Sequence, residues 1–107
     1  MSQQLILRGH NGETIVLTDG VVSKWRHNGM QEVARNLATT YRSCEVSPLT
    51  KGLFNKKPTG DLMVSLVCGS IFGLIISETD RPALRTMVQA LEACRDAASQ
   101  MTPSREG

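Results

Sequence analysis

The fold prediction starts from residues 5–26, which read LILRGHNGETIVLTDGVVSKWR. In this stretch, short apolar and β-branched runs are separated by the pairs Asn11-Gly12 and Asp19-Gly20. Such pairs tolerate the positive φ angles of tight hairpin turns, and β-branched runs favour strands. The stretch therefore predicts an antiparallel meander of three short strands.

The next twenty residues leave two interpretations open. From Met30 to Tyr41, apolar and aromatic residues recur at helical spacing, and Asn28 precedes them as a suitable N-cap. This pattern predicts a helical turn or two over residues 30–38. Residues 39–47 are instead rich in strand-forming side chains and stop at Pro48, which favours a strand there.

The second half of the chain predicts a loop, a hairpin and a helix. Glycine and proline punctuate residues 51–60, which is typical of a loop. Two apolar runs, 62–67 and 71–77, predict strands joined through Gly69. A helix is expected to begin after Thr79 or Asp80, and its apolar residues recur in steps of three and four: Leu84, Met87, Val88, Leu91, Cys94, Ala98 and Met101.

Composition limits the class of protein. The chain has 107 residues, of which 40% are hydrophobic and 21% charged, and its formal net charge is +2. These values exclude an intrinsically disordered chain and predict one domain over residues 1–101, with a flexible tail at 102–107. The uncharged run 62–77 contains two glycines and is shorter than a membrane-spanning helix. Three unpaired cysteines and no leader sequence predict a cytoplasmic protein.

Neither catalysis nor a metal or cofactor site is expected from the motifs. The chain has two histidines, His10 and His27, and three cysteines, none of them at the spacing of a zinc site or a catalytic pair. The glycines punctuate hairpins and do not open a helix, as a phosphate-binding loop would. Asp19 and Asp61 border turns, Asp80 precedes a helix, and Glu92 and Asp96 lie on the polar side of that helix.

One segment combines apolar and basic residues in a way that suggests binding. Residues 41–60 carry four positive charges and one negative charge, and the core of this excess is KGLFNKK at 51–57. Lysines attract an anionic bilayer, and an apolar loop tip can enter its interface. The alternative is a solvated loop whose Phe54 folds back on the core. The candidate binding residues are Lys51, Leu53, Phe54, Lys56 and Lys57.

Trp25 and Arg26 are the second candidate binding site. Trp25 lies between Lys24 and Arg26 at the end of the third predicted strand. Tryptophan and arginine are favoured at protein interfaces, so this pair could anchor a partner. The alternative is that Trp25 covers one end of its own sheet.

The first turn, Gly9-His10-Asn11-Gly12, resembles the start of bacterial PH-like domains. In that family an apolar strand follows, and then a strand that ends in a basic residue, here Arg26. A polar-aromatic strand over residues 40–46, a lysine-containing connection, a hairpin from Gly60 and a closing amphipathic helix are also similar. The resemblance implies a bent antiparallel sheet or partly open barrel, closed by the C-terminal helix. It also implies a binding platform, although fold alone does not identify a ligand.

A second resemblance is to roadblock or longin domains, which are small dimeric scaffolds that regulate GTPases. It requires residues 30–43 to be the first helix and residues 80–100 the last helix of an α/β/α sandwich. A continuous helix over residues 30–41 favours this family, and an extended chain favours the PH-like domain.

Together these patterns predict an α+β domain that binds without catalysing a reaction. The expected partner is a protein, or an anionic membrane surface that contacts residues 51–57. The alternative is a structural subunit or scaffold that self-associates through a sheet edge or through the surface around Trp25. Nucleic-acid binding through Lys51, Lys56 and Lys57 is the minor alternative, because a sequence pI of about 8.6 and four aromatic residues supply neither a strongly basic nor a base-stacking surface.

Overall fold

Tight turns set the strand order of the first half of the fold. In the computed structural model, which describes residues 4–51 and 57–101, Asn11, Gly12, Asp19 and Gly20 all have positive φ. These turns join three antiparallel strands, β1 (Gln4–Arg8), β2 (Thr14–Thr18) and β3 (Val21–Arg26). The predicted meander is confirmed.

A fourth strand occupies the region that was left open between helix and strand. His27, Asn28 and Gly29 have φ of 55°, 57° and 88°, which reverses the chain after β3. The chain then returns as β4 (Gln31–Leu37), antiparallel to β3, with a bulge opposite Lys24 and Trp25. The helical prediction for residues 30–38 is therefore wrong. Pairing with β3 satisfies the backbone groups on one side of β4, and this tertiary contact outweighs the helical spacing of the apolar residues.

The same strand removes the roadblock or longin alternative. That fold needs a continuous helix over residues 30–41, whereas β4 is followed only by a short 3₁₀ turn at Ala38–Thr40. The resemblance to PH-like domains stays a prediction.

Three longer strands form a second antiparallel sheet, with the order β5-β6-β7. Their bounds are β5 (Tyr41–Lys51), β6 (Lys57–Cys68) and β7 (Ser70–Ser77). The turn between β6 and β7 is at Gly69, where φ is 76°, as predicted. The predicted strand over residues 39–47 is confirmed from Tyr41 onwards.

The β5–β6 hairpin is longer than the sequence indicates. β5 continues past Pro48 to Lys51, and β6 begins at Lys57, so the predicted end at Pro48 and the predicted loop at 57–60 are both wrong. Pro48 is accommodated because β5 is an edge strand, where a missing N–H need not interrupt a hydrogen-bond ladder. The pairing register also shifts between Pro48 and Thr50. Residues 52–56 lie outside the described part of the chain.

The C-terminal helix, α1 (Arg81–Met101), confirms the predicted amphipathic helix. A 3₁₀ turn at Glu78–Asp80 precedes it, and Ser77 Oγ accepts a hydrogen bond from the Thr79 N–H at 3.3 Å. Ser77 thus caps this turn, in place of the expected capping of the helix by Thr79 or Asp80. The helix buries Leu84, Met87 and Leu91 and contacts β1, β5 and the turn after β4.

The core lies between the two sheets and α1. The largest fully buried side chains come from both sheets and from the helix: Phe72, Leu7, Ile15, Leu66, Leu74, Ile76, Met87 and Leu91. The fold is therefore α+β, as predicted. It consists of two antiparallel sheets, of four and three strands, and these do not close into a barrel as the partly open barrel prediction implied.

The two sheets meet at the turn that follows β1. The N–H of His10 donates to the carbonyl of Ile75 at 2.9 Å, and His10 Nε2 lies 2.9 Å from Asp61 Oδ1. A Cβ atom on Gly9 would lie 2.6 Å from Leu74 and 2.7 Å from the Ile75 oxygen. The absence of a side chain at Gly9 is what allows the turn after β1 to lie this close to β7.

Burial of Cys68 predicts a loss of stability at alkaline pH. Cys68 is fully buried, and burial raises the pKa of its thiol to about 11, from an ordinary value near 9. As pH rises above 9, the unfolded chain releases this proton first, so the unfolded state gains stability. We expect the wild type to lose about 2 kcal/mol more than Cys68→Ala between pH 8 and 11.

Urea unfolding at a series of pH values gives the free energy of unfolding of both proteins and shows how steeply each one falls as pH rises. Burial also raises the pKa of Tyr41 and of Cys44, and Glu45 adds to the shift at Cys44. The variant should therefore still lose some stability at alkaline pH. Parallel curves for the wild type and Cys68→Ala would contradict the prediction.

Candidate functional site

A groove runs between the edge strand β5 and α1, with a volume of about 470 Å³. We call it the β5–α1 groove. β5 contributes Tyr41 and Cys44 to it, and α1 contributes Arg81, Leu84, Arg85, Val88, Gln89 and Glu92. The helical residues are three or four positions apart, so they project from one side of α1.

The strand beside the groove has an unpaired edge. β5 pairs with β6 on one side and is the outermost strand of its sheet. Its outer backbone N–H and C=O groups therefore have no strand to pair with in the described fold. Such an edge is a template on which another extended chain can add.

The base of the groove is apolar and firmly packed. Tyr41 is 6% exposed and Leu84 is 4% exposed, whereas Val88 and Cys44 are half-buried. The Arg95 guanidinium lies 5.5 Å from the centre of the Tyr41 ring. Burial raises the pKa of Tyr41, so its phenol stays neutral at physiological pH. Neutral, half-buried side chains of this kind suit an apolar side chain of a ligand.

Charged residues line the rim. Arg81 Nη2 lies 3.5 Å from Glu78 Oε2, in an exposed contact. Among the described residues, Arg85 and Glu92 form no salt bridge. Both are exposed, so their charges are available to a ligand.

The predicted site residue Trp25 lies elsewhere, on the outer face of the four-stranded sheet. Its indole N–H donates to Ser23 Oγ at 2.9 Å, and the side chain is half-buried. A groove of about 450 Å³, the outer-face groove, runs past Trp25, Ser23, Val16 and Arg35. Arg35 is paired with Glu32 through two contacts, of 2.6 and 3.0 Å.

Arg26, the other predicted residue of that pair, points to an acidic neighbour. Arg26 Nε lies 3.5 Å from Glu13 Oε2, and Lys24 Nζ lies 3.4 Å from Glu13 Oε1. The single carboxylate of Glu13 contacts both cations and offsets one of their two positive charges.

The candidate residues of the 51–57 segment are only partly described. Lys51 and Lys57 are partners in the register of β5 and β6, at the end of the hairpin. β7 ends opposite Asp61, so this end of the hairpin extends beyond the third strand. Leu53, Phe54 and Lys56 lie outside the described residues, and their role stays a prediction. The structure brings neither Trp25 nor Arg26 into the β5–α1 groove.

Sequence reasoning missed the β5–α1 groove because its two walls are about forty residues apart in the chain. Two signals were present: Pro48, which is typical of an edge strand, and the one-turn spacing of Arg81 and Arg85 on the helix. Neither signal says that the two elements lie side by side.

Metal sites and membrane-spanning helices are two further features that residues 4–51 and 57–101 could contain. Nowhere in these ranges do three or more His, Cys, Asp or Glu side chains come together as a metal site would require. No helix there has both the length and the apolar character needed to cross a membrane. Comparison of the chain with protein families, with curated proteins and with solved structures found no match.

Proposed function

We propose that the protein is a non-catalytic protein-interaction module that binds an extended peptide segment in the β5–α1 groove. The observation that carries the proposal is the unpaired edge of β5 beside that groove. An added strand would pair with the backbone of β5, and its alternate side chains would enter the groove. Backbone pairing supplies affinity, and the groove supplies specificity.

The composition of the groove supports a peptide over a small molecule. Its walls combine apolar side chains, such as Val88, with exposed polar ones, such as Gln89. A small-molecule site is usually more enclosed and buries most of its ligand. An open groove along a strand edge matches the length and shape of an extended chain.

The outer-face groove is the weaker candidate for this function. β2 and β3, which contribute most of its lining, are flanked by strands on both sides and have no free backbone edge. Arg35 is held by Glu32, and the indole N–H of Trp25 is used by Ser23. A ligand there would bind through side chains alone.

Selection from a random twelve-residue peptide library displayed on phage tests the proposal. We expect the protein to enrich peptides whose synthetic forms shift the NMR amide signals of residues 42–47 and 84–92. The peptide amides that pair with β5 should become protected from hydrogen exchange. Gln89→Trp narrows the β5–α1 groove from its rim and should weaken binding at least tenfold.

Ala93→Trp is the matched control for this experiment. Ala93 is exposed on the same helix, one turn from Gln89, but it lines a different cleft between α1 and β2. We expect Ala93→Trp to bind selected peptides as the wild type does. Failure to enrich any peptide, or shifts centred on Val16 and Trp25, would refute the proposed function.

A further inference from the structure

The β5–α1 groove has opposite charges at its two ends. Arg81 and Arg85 lie near the start of α1, and Glu92 lies two turns further along. Arg85 and Glu92 are exposed and form no salt bridge with a described residue, and the contact of Arg81 with Glu78 is long. A ligand can therefore pair with either end without displacing a strong internal partner.

Arg95 does not cancel the negative charge at the Glu92 end of the groove. Arg95 follows Glu92 by one turn, but its Nε lies 3.1 Å from Asp96 Oδ1 and its guanidinium lies over Tyr41. Asp96 therefore offsets the charge of Arg95, and Glu92 is left as the uncompensated group at this end.

The middle of the groove is apolar. Val88 lies between Arg85 and Glu92 on α1, above the buried Leu84, and the half-buried Cys44 faces the groove from β5. The order along the groove is therefore positive, apolar, negative.

The spacing of these groups matches an extended chain. An α-helix rises about 1.5 Å per residue, so the axial separation from Glu92 is about 10 Å for Arg85 and about 16 Å for Arg81. In a strand, side chains on one side recur every second residue, and residues i and i+4 are about 13 Å apart. Residue i+2 then lies midway, at the level of Val88.

We infer that the β5–α1 groove selects an extended segment in which an acidic and a basic residue are four positions apart and an apolar residue lies midway between them. The acidic residue pairs with Arg81 and Arg85, the apolar residue packs on Val88, and the basic residue pairs with Glu92. This inference rests on the proposed function and adds the chemistry of the partner. The direction in which the segment pairs with β5 determines which charged residue comes first.

Exchange of the groove charges tests the inference. The same phage library is selected against the wild type and against the triple variant Arg81→Glu, Arg85→Glu, Glu92→Arg. We expect the wild type to enrich acidic and basic residues at i and i+4 in one order, with an apolar residue at i+2. The triple variant should enrich the reverse order, because the charges at the two ends of the groove are exchanged. All three positions are exposed, so the fold is expected to stay intact.

A single substitution measures the size of the effect. For a synthetic peptide selected by the wild type, Arg85→Gln should lower affinity about threefold to tenfold at low salt, and less at high salt. Arg8→Gln is the matched control, since Arg8 is exposed, lies outside the groove and forms no salt bridge with a described residue. It should leave the affinity unchanged.

The outcomes separate this inference from the proposed function. Peptides that map to the β5–α1 groove without a charge pattern, or with the same order for both proteins, would overturn the inference and leave the proposed function standing. If no peptide binds the groove, both fail.

Discussion

Replacement of Phe72 by alanine is expected to lower the free energy of unfolding by about 3 to 5 kcal/mol. Phe72 is the largest fully buried side chain and lies on β7, where it faces the core. Its loss removes apolar contacts and leaves a cavity that the surrounding strands can fill only in part. Since domains of this size are stable by about 5 to 15 kcal/mol, this loss is a large share of the total and would leave a protein at the lower end of that range marginally folded or unfolded.

Ile71 provides the control from the same strand. Its side chain is 70% exposed, so Ile71→Ala should change stability by less than about 0.5 kcal/mol. Urea unfolding followed by the fluorescence of Trp25, the single tryptophan, measures both variants. Equal losses for the two would contradict the placement of β7 between core and solvent.

Replacement of Gly9 by alanine is expected to cost about 2 to 3 kcal/mol, although it adds a single methyl group. The new Cβ would lie 2.6 Å from the buried Leu74 side chain and 2.7 Å from the backbone oxygen of Ile75. Leu74 is fixed in the core, and the Ile75 carbonyl accepts the hydrogen bond that joins the two sheets. Relief of the clash therefore requires the sheets to move apart.

Gly73→Ala is the matched control for Gly9→Ala. The nearest atom to a Cβ at Gly73 is the Val64 oxygen at 4.0 Å, so the methyl group fits. An alanine there reduces the freedom of the unfolded chain and should be neutral or slightly stabilising. The melting temperature of Gly9→Ala should fall by about 10 °C or more relative to Gly73→Ala. Equal melting temperatures for the two variants would show that Gly9 does not determine how closely the sheets approach.

Local sequence patterns predicted the elements whose geometry is itself local. The Asn-Gly and Asp-Gly turns determine where β1, β2 and β3 reverse, and the apolar spacing of residues 84–101 identifies α1. β4 was ambiguous because its apolar residues happen to recur at helical spacing. Only its pairing with β3 decides between strand and helix, and that pairing is not encoded in the window of sequence itself.

The candidate site depends still more on tertiary structure. Trp25 was chosen because tryptophan is enriched at interfaces, but in the fold its indole N–H is occupied by Ser23. Arg85 is one of several charged residues on the polar side of the predicted helix, and the sequence pattern does not distinguish it from the others. It becomes a candidate only because α1 packs beside β5 and leaves a groove between them. Long-range contacts of this kind cannot be read from spacing.

The position of α1 in the chain has a consequence for the order in which the β5–α1 groove is made. During synthesis every described strand emerges before this helix, so the core residues beneath α1 are exposed beside the edge of β5 until residues 81–101 leave the ribosome. A bare edge beside apolar side chains is prone to pair with other nascent chains. The nascent protein is thus most vulnerable to aggregation in the interval before α1 docks, and that docking creates the β5–α1 groove and protects the core in the same step.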